Sequence, residues 1–235
     1  MPLNILFSDP FYVAIDKPSG LLVHRTAIAR DRVFALQQLR DQLRQRVFPV
    51  HRIDRATSGV LVFGRSADAA RRLATAFEQR RVDKRYLAVV RGWTEPYGLI
   101  DHPVADDDGN RVAQAATTLY RKLATLELPI AVPPYRSARY SLISVKPLTG
   151  RRQQIRRHLK HISHHLIGDT THGNGPHNRL FREHLGLQRM LLQAQRLAFV
   201  HPFHGTPIAI SAPPDADWLR VAALFEVTPS TLLRD

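Results

Sequence analysis

Val50-His51-Arg52-Ile53-Asp54-Arg55-Ala56-Thr57-Ser58-Gly59-Val60-Leu61-Val62-Phe63-Gly64 carries a single carboxylate, Asp54, set between Arg52 and Arg55. His51 precedes them, and Thr57-Ser58-Gly59 makes a tight polar turn. Val60-Leu61-Val62-Phe63 then forms an apolar run, short and β-branched enough to be a buried strand. The pattern places a carboxylate on a loop backed by a rigid strand, a usual position for a catalytic group. Flanking guanidiniums favour its ionised form, whereas burial disfavours it. From these residues alone, an Asp that pairs with Arg merely to pin the loop is an equally good reading.

Composition narrows the class. The 235 residues suffice for one or two domains with a real core. A hydrophobic content of 44% argues against disorder. Lys plus Arg number 34 against 20 Asp plus Glu, a net charge of +14 that predicts attraction to polyanions. Arg dominates the cationic set, and its planar fork suits phosphate. The absence of Cys excludes disulfides, thiolate zinc sites and Cys nucleophiles. The N-terminal residues lack the basic and apolar regions of a secretion signal, and no apolar run reaches membrane-spanning length. A cytoplasmic protein is the expectation.

Periodicity predicts the elements around the Asp54 loop. Ile5–Phe7 and Tyr12–Ile15 read as strands joined by a Ser8-Asp9-Pro10 turn, and Lys17-Pro18-Ser19-Gly20 reads as a second turn. Apolar residues at Val33, Leu36, Leu39 and Leu43 predict a helix over Val33–Arg46. Ala67–Arg80 is an amphipathic helix with Ser66 at its N-cap. Val82–Gly92, Thr117–Leu128, Arg139–Val145, Met190 onward and Ile208–Ile210 read as strands. Helices are expected over Arg151–His161, Pro176–Leu185 and Asp215–Phe225. Trp93–Gln114 reads as a turn-rich loop. Its Asp106-Asp107-Asp108 run lacks the further ligand spacing that a metal site needs. His158, His161 and His165 could share a helix face as zinc ligands, but a basic surface for RNA is the plainer reading.

His51-Arg52-Ile53-Asp54 with Thr57-Ser58-Gly59 resembles the signature of the RluA-type pseudouridine synthases. Three further runs are similar to motifs of that family. They are Asp16-Lys17-Pro18-Ser19-Gly20-Leu21-Leu22-Val23-His24, Lys84-Arg85-Tyr86, and Gly150-Arg151-Arg152-Gln153-Gln154-Ile155-Arg156-Arg157-His158. The resemblance implies a catalytic set of Asp54, with Tyr86 against the target base and Arg156 paired with the catalytic carboxylate. It implies a mainly structural role for the Lys17 run. Arg52, Arg55, Arg85, Arg151 and Arg157 are the expected RNA-binding residues. Gln153 and Gln193 stand where the family carries His, and an amide cannot take a charge.

The implied fold is α+β, the pseudouridine synthase fold: a large, mostly antiparallel mixed sheet in two halves with flanking helices and a central catalytic cleft. Residues 1–235 are expected to form one catalytic domain without an N-terminal S4 domain. The implied activity is isomerisation of uridine to pseudouridine in RNA, with no cofactor and no metal. Leu22-Val23-His24-Arg25, Phe77-Glu78-Gln79 and Leu185-Gly186-Leu187-Gln188-Arg189 resemble the branch that modifies a tRNA T-stem uridine. The expected partner is therefore RNA, tRNA first, with no membrane association and a monomeric state. Ribosomal RNA, another tRNA site, or a non-catalytic RNA-binding or chaperone protein are the alternatives. A hydrolase built on Asp54 and a His lacks the second carboxylate or metal it would want.

Overall fold

A computed structural model describes residues 2–24, 33–105 and 112–233. The chain is α+β with mostly antiparallel strand pairing, as expected. It groups into two compact units, Met1–Lys84 with Gln193–Pro213, and Arg85–Leu192 with Pro214–Asp235. The Asp106-Asp107-Asp108 run and Arg25 lie outside the described residues.

In the first unit β1 (Asn4–Ser8) and β2 (Tyr12–Lys17) form an antiparallel hairpin. Its turn depends on Asp9. One carboxylate oxygen accepts the Phe11 and Tyr12 amides at 2.7 and 2.6 Å, and the other accepts from His201 Nε2 at 3.0 Å. The strand β2 pairs with β4 (Ser58–Gly64), which also takes the short β3 (Phe48–Pro49). The first residues of β4 run parallel to β9 (Leu192–Val200). The strand β10 (Pro207–Ser211) folds back on β9. Two helices complete the unit, α1 (Ala35–Leu43) and α2 (Ala67–Glu78). All seven residues of β4 are buried, which matches its continuous apolar run. Val60 and Val62 pack with Tyr12, Ala69, Leu73, Leu197 and Phe199. The α2 N-cap is Ser66, whose hydroxyl accepts the Ala69 amide at 3.1 Å.

In the second unit the strands order as β5 (Asp83–Arg91), β8 (Ala138–Pro147), β7 (Thr117–Leu128) and β6 (Tyr97–Asp101), each antiparallel to its neighbour. Its helices are α3 (Gln154–His161), α4 (Gly175–Leu185) and α5 (Ala216–Leu224). Leu87, Val89, Tyr140 and Leu142 of the sheet pack with Leu180 and Phe181 of α4 and Trp218, Val221 and Ala222 of α5. Asp215 caps α5 by accepting the Trp218 amide at 3.0 Å.

Three elements differ from expectation. The helix expected over Val33–Arg46 is the shorter α1, which ends where Arg44 turns left-handed. The strand β6 arises inside the stretch read as a loop, because Tyr97–Asp101 finds a complete ladder along Thr117–Arg121. The helix α3 starts at Gln154 rather than Arg151. Gln153 is left-handed, with φ 53°, and the preceding residues form a turn.

The Asp54 loop is clasped by the turn after β2. Lys17 is fully buried, and its Nζ donates to the carbonyls of Pro18, Leu21 and Arg55 at 2.8, 2.7 and 3.0 Å. Three carbonyls thus take the three N–H groups that an ammonium carries. Ser19 donates to the Ala56 carbonyl at 2.7 Å, the Gly20 amide to the Arg55 carbonyl at 2.8 Å, and Arg55 Nε to the Gly20 carbonyl at 3.0 Å. The far end of the loop is fixed by Gly59. Its φ is +105°, and a Cβ there would collide with the Ala194 carbonyl of the parallel partner strand. Only glycine meets both conditions.

Gly59→Ala is expected to destabilise the fold by about 3 kcal/mol or more, since the strained φ and the backbone clash add. The midpoint of chemical unfolding measures this. Lys17→Met should cost about 2–4 kcal/mol in the same measurement, because it strands buried carbonyls without donors. An unshifted midpoint would mean that the clasp carries no net energy.

Candidate active site

Asp54 is half-buried on the loop between β3 and β4, and its backbone carbonyl accepts the Thr57 amide at 3.1 Å to close the turn. Arg52 and Arg55 are both exposed, so the first unit presents one carboxylate flanked by two guanidiniums. Ile53 is buried and anchors the loop between them. His51 belongs to the support. Its Nε2 accepts the Val62 amide at 3.1 Å, and its ring stacks on Phe77 with centroids 4.6 Å apart. Desolvation, helped by the Lys84 ammonium, brings His51 down to about 3. It therefore stays neutral and keeps that acceptor nitrogen at any physiological pH. Burial, with repulsion from Arg80, also lowers Lys84, to about 8.

The second unit carries Tyr86, Arg156 and three of the expected RNA-binding arginines. Tyr86 is half-buried on β5, opposite Val145 of β8. Arg85 precedes it in the strand and so faces the other side of the sheet. Arg151 Nε donates to the Ala115 carbonyl at 3.3 Å, and Arg157 Nη1 to the Ala105 carbonyl at 2.7 Å. These contacts tie both arginines to the loops flanking β6 and β7.

Arg156 is nearly buried and locked by Asp169. Its Nε donates to Oδ2 and its Nη2 to Oδ1, each at 2.7 Å, in a two-pronged pair. Burial pushes the Asp169 carboxyl up. The Arg156 guanidinium and the amides of His172 and Thr171 outweigh that and hold it below the usual carboxylate range. Asp169 in turn is set by Gly168, whose φ is +78° and whose missing Cβ admits the Arg189 carbonyl. Asn178 grips the same corner, accepting the Gly168 amide and donating to the Asp169 carbonyl, both at 2.8 Å. The role of Asp169 escapes sequence reasoning.

Gln154 is a second residue missed from sequence, and it accounts for the displaced start of α3. Its Oε1 accepts the Thr149 hydroxyl at 2.7 Å and the Arg151 amide at 2.9 Å. Its Nε2 donates to the Thr117 carbonyl and the Thr118 hydroxyl at 3.0 and 2.9 Å. All four hydrogen-bonding positions of the buried amide are thereby used. Thr118 continues the chain to His158 Nδ1 at 2.9 Å, and His158 Nε2 meets the His102 carbonyl at 2.9 Å. A carbonyl only accepts, so the His158 proton sits on Nε2 and Thr118 donates to Nδ1. Burial lowers the pKa of His158, in keeping with this neutral form.

The other histidines are spent similarly. His164 Nδ1 meets the Arg91 carbonyl at 2.8 Å, and His165 Nδ1 meets the His172 carbonyl at 2.9 Å. His172 Nε2 pairs with Gln153 Oε1 at 2.8 Å, so the amide at position 153 takes a neutral hydrogen bond. Gln193 Nε2 donates to the Pro213 carbonyl at 3.1 Å. His158, His161 and His165 do not converge on a point: α3 ends at His161, ahead of His165. Among the described residues no group of three or more His, Asp or Glu is placed to hold a metal ion. No helix among them is long and apolar enough to cross a membrane.

Residues 11–161 match the family model described as RNA pseudouridylate synthase. The chain is similar to the tRNA pseudouridine synthase C of Vibrio cholerae, at 43% identity over 98% of this chain and 99% of that one. It is also similar to the Salmonella typhi protein of the same name, at 44% identity over 95% of this chain and 90% of that one. Among solved structures, human RNA pseudouridylate synthase domain containing 4 superposes with a TM-score of 0.74 at 23% identity, covering 95% of this chain and 93% of that one. Its human counterpart domain containing 1 gives 0.70 at 23%, over 90% and 83%. These two likenesses concern the fold. With the Asp54 loop in its clasped form and matches that run nearly end to end, the chain belongs to the RNA pseudouridylate synthase family.

Proposed function

We propose that this enzyme isomerises a uridine of the tRNA T-stem to pseudouridine, acting as a monomer in the cytoplasm, with residues 1–235 serving one catalytic activity. The observation that carries the reading is the Asp54 loop, a half-buried carboxylate with arginines on either side, held by a buried lysine. The choice of tRNA rests on the names of the relatives that this chain resembles over nearly its full length.

The reaction exchanges one bond for another. The bond between the ribose carbon and the uracil nitrogen breaks, the uracil turns, and the ribose carbon bonds to a ring carbon. That ring carbon gives up its proton, and the nitrogen gains one. Substrate and product are isomers, so no oxidant, reductant or energy source enters the balance. Asp54 takes the part of nucleophile or base, two roles that the same carboxylate can fill. Tyr86 lies against the extruded base. Arg156 takes the part of the guanidinium that keeps the catalytic carboxylate ionised. Asp169 positions Arg156. Arg52 and Arg55 meet phosphates around the extruded nucleotide, and Arg85, Arg151 and Arg157 add to the grip on RNA.

Asp54→Asn is expected to cut tritium release from uridine labelled at the reacting ring carbon by about a thousandfold or more. Binding of tRNA should stay within about threefold of wild type, since the amide is isosteric. Retained turnover would refute the assignment. Asp169→Asn replaces a charged partner of Arg156 by a neutral one. It should lower kcat by about ten- to a hundredfold with KM little changed. A rise in KM at constant kcat would make Asp169 a determinant of binding instead. Pseudouridine mapping on RNA from cells lacking the protein identifies the site. Loss of a ribosomal mark with an intact T-stem would overturn the tRNA assignment.

A further inference from the structure

The strand β6 is built in an unusual way for an edge strand. Its buried position is Ile100, while Tyr97 and Leu99, which alternate to the opposite face, are 72% and 63% exposed. An ordinary edge strand puts polar side chains at such positions. Gly98 lies between them because the Tyr120 ring fills the space its Cβ would take. The ladder register continues the exposed rows inward. Tyr97 sits opposite Arg121, and Leu99 opposite Leu119, itself opposite Lys146. Arg85 completes the second row on β5. These side chains line a hollow of about 610 Å³ that lies wholly within the second unit.

The same register fixes which face this is. Tyr86 pairs with Val145, and Val145 with Tyr120, so all three point to one side of the sheet. Thr118, two residues from Tyr120, shares that side and bonds α3 through Gln154 and His158. The hollow is therefore on the opposite side from Tyr86. It shares its face with Leu87, Val89 and Leu142, which α4 and α5 cover further along. The helices stop short of Tyr97, Leu99 and Leu119, which explains their exposure.

We propose that this hollow is a second RNA subsite, which takes an unpaired nucleotide of the tRNA outside the stem that carries the target uridine. A flat phenol beside two leucines offers a stacking surface for a base. Arg85, Arg121 and Lys146 supply positive charge around it, and no carboxylate is among the described lining residues. The nearest on β6, Asp101, accepts a hydrogen bond from Thr117 at 3.3 Å. An apolar floor rimmed by cations matches a nucleotide, whose base is flat and whose phosphate is anionic. The volume is in the range of sites that enclose a small ligand. The inference rests on the proposed tRNA substrate, and it concerns grip rather than chemistry.

The test uses the full chain and an unmodified tRNA transcript. Tyr97→Ala should weaken tRNA binding by about tenfold, the usual effect of losing one stacked base. Tyr97→Phe keeps the ring and should bind within about twofold of wild type. Arg121→Ala should weaken binding and flatten its dependence on salt by about one phosphate's worth. A benzophenone side chain introduced at position 97 should crosslink to an unpaired tRNA nucleotide. If Tyr97→Ala binds as wild type does, or the crosslink joins a protein or a second copy of this chain, the subsite is refuted. Tritium release by the wild type separates the two readings. Activity on tRNA with a silent hollow sinks only the subsite. Activity on ribosomal RNA alone sinks the tRNA substrate, however the variants bind.

Discussion

A lysine ammonium shut away from water must replace its hydration with protein oxygens, and few places in a chain offer three at once. Lys17 finds them in the carbonyls of Pro18, Leu21 and Arg55, two on its own turn and one on the Asp54 loop. The consequence is mechanical. The eight-residue loop 50–57 would ordinarily sample many conformations, yet it is joined to the neighbouring turn by four hydrogen bonds. The contacts that join the two run through backbone carbonyls and amides and the side chains of Lys17, Ser19 and Arg55. A reacting group requires a support of that rigidity.

The second unit solves the same problem with different chemistry. Arg156 must remain charged in a nearly dry site, and Asp169 meets it on two edges of the guanidinium. The cost of burying that pair is offset by further donors to Asp169 from Thr171 and His172. Beside it, the neutral chain from Thr149 through Gln154 and Thr118 to His158 fixes the start of α3 without any formal charge. The helix that carries Arg156 is thus positioned at its N-terminus by an amide and at its middle by an ion pair. Arg151, just ahead of the helix, and Arg157 within it are each tied to a backbone carbonyl.

How much of this is visible in the chain follows from how local its causes are. The strand from Thr117 to Leu128 and the helix from Ala67 are set by alternation, periodicity and an N-cap serine, and both are where those signals place them. The Asp54 motif is contiguous, so its loop-then-strand form can be read directly. The strand β6 cannot, because five residues with a glycine in second place have no pattern of their own and depend on the ladder offered by β7. The start of α3 is missed because the Gln154 side chain reaches Thr117 and Thr118, 37 and 36 residues away. Lys17 shows up as a turn lysine, and lysine is a surface residue by default. Nothing local announces that three carbonyls will enclose it. Asp169 is hidden for the same reason, as its partner lies 13 residues off in another element.

The excess positive charge belongs to the same physical argument. A net charge of +14 raises affinity for any polyanion without choosing among them. Choice requires surfaces that a phosphate chain alone cannot satisfy, and the second unit has one in Tyr97, Leu99 and Leu119. They are apolar side chains left in water on two paired strands whose other face carries the buried Ile100 and Thr118. Apolar exposure of that kind costs solubility and adds nothing to the core, so the fold itself gives no reason to keep it. A flat ligand that brings its own negative charge removes both objections together. It covers the apolar rows and sets its own charge beside the cations that border them.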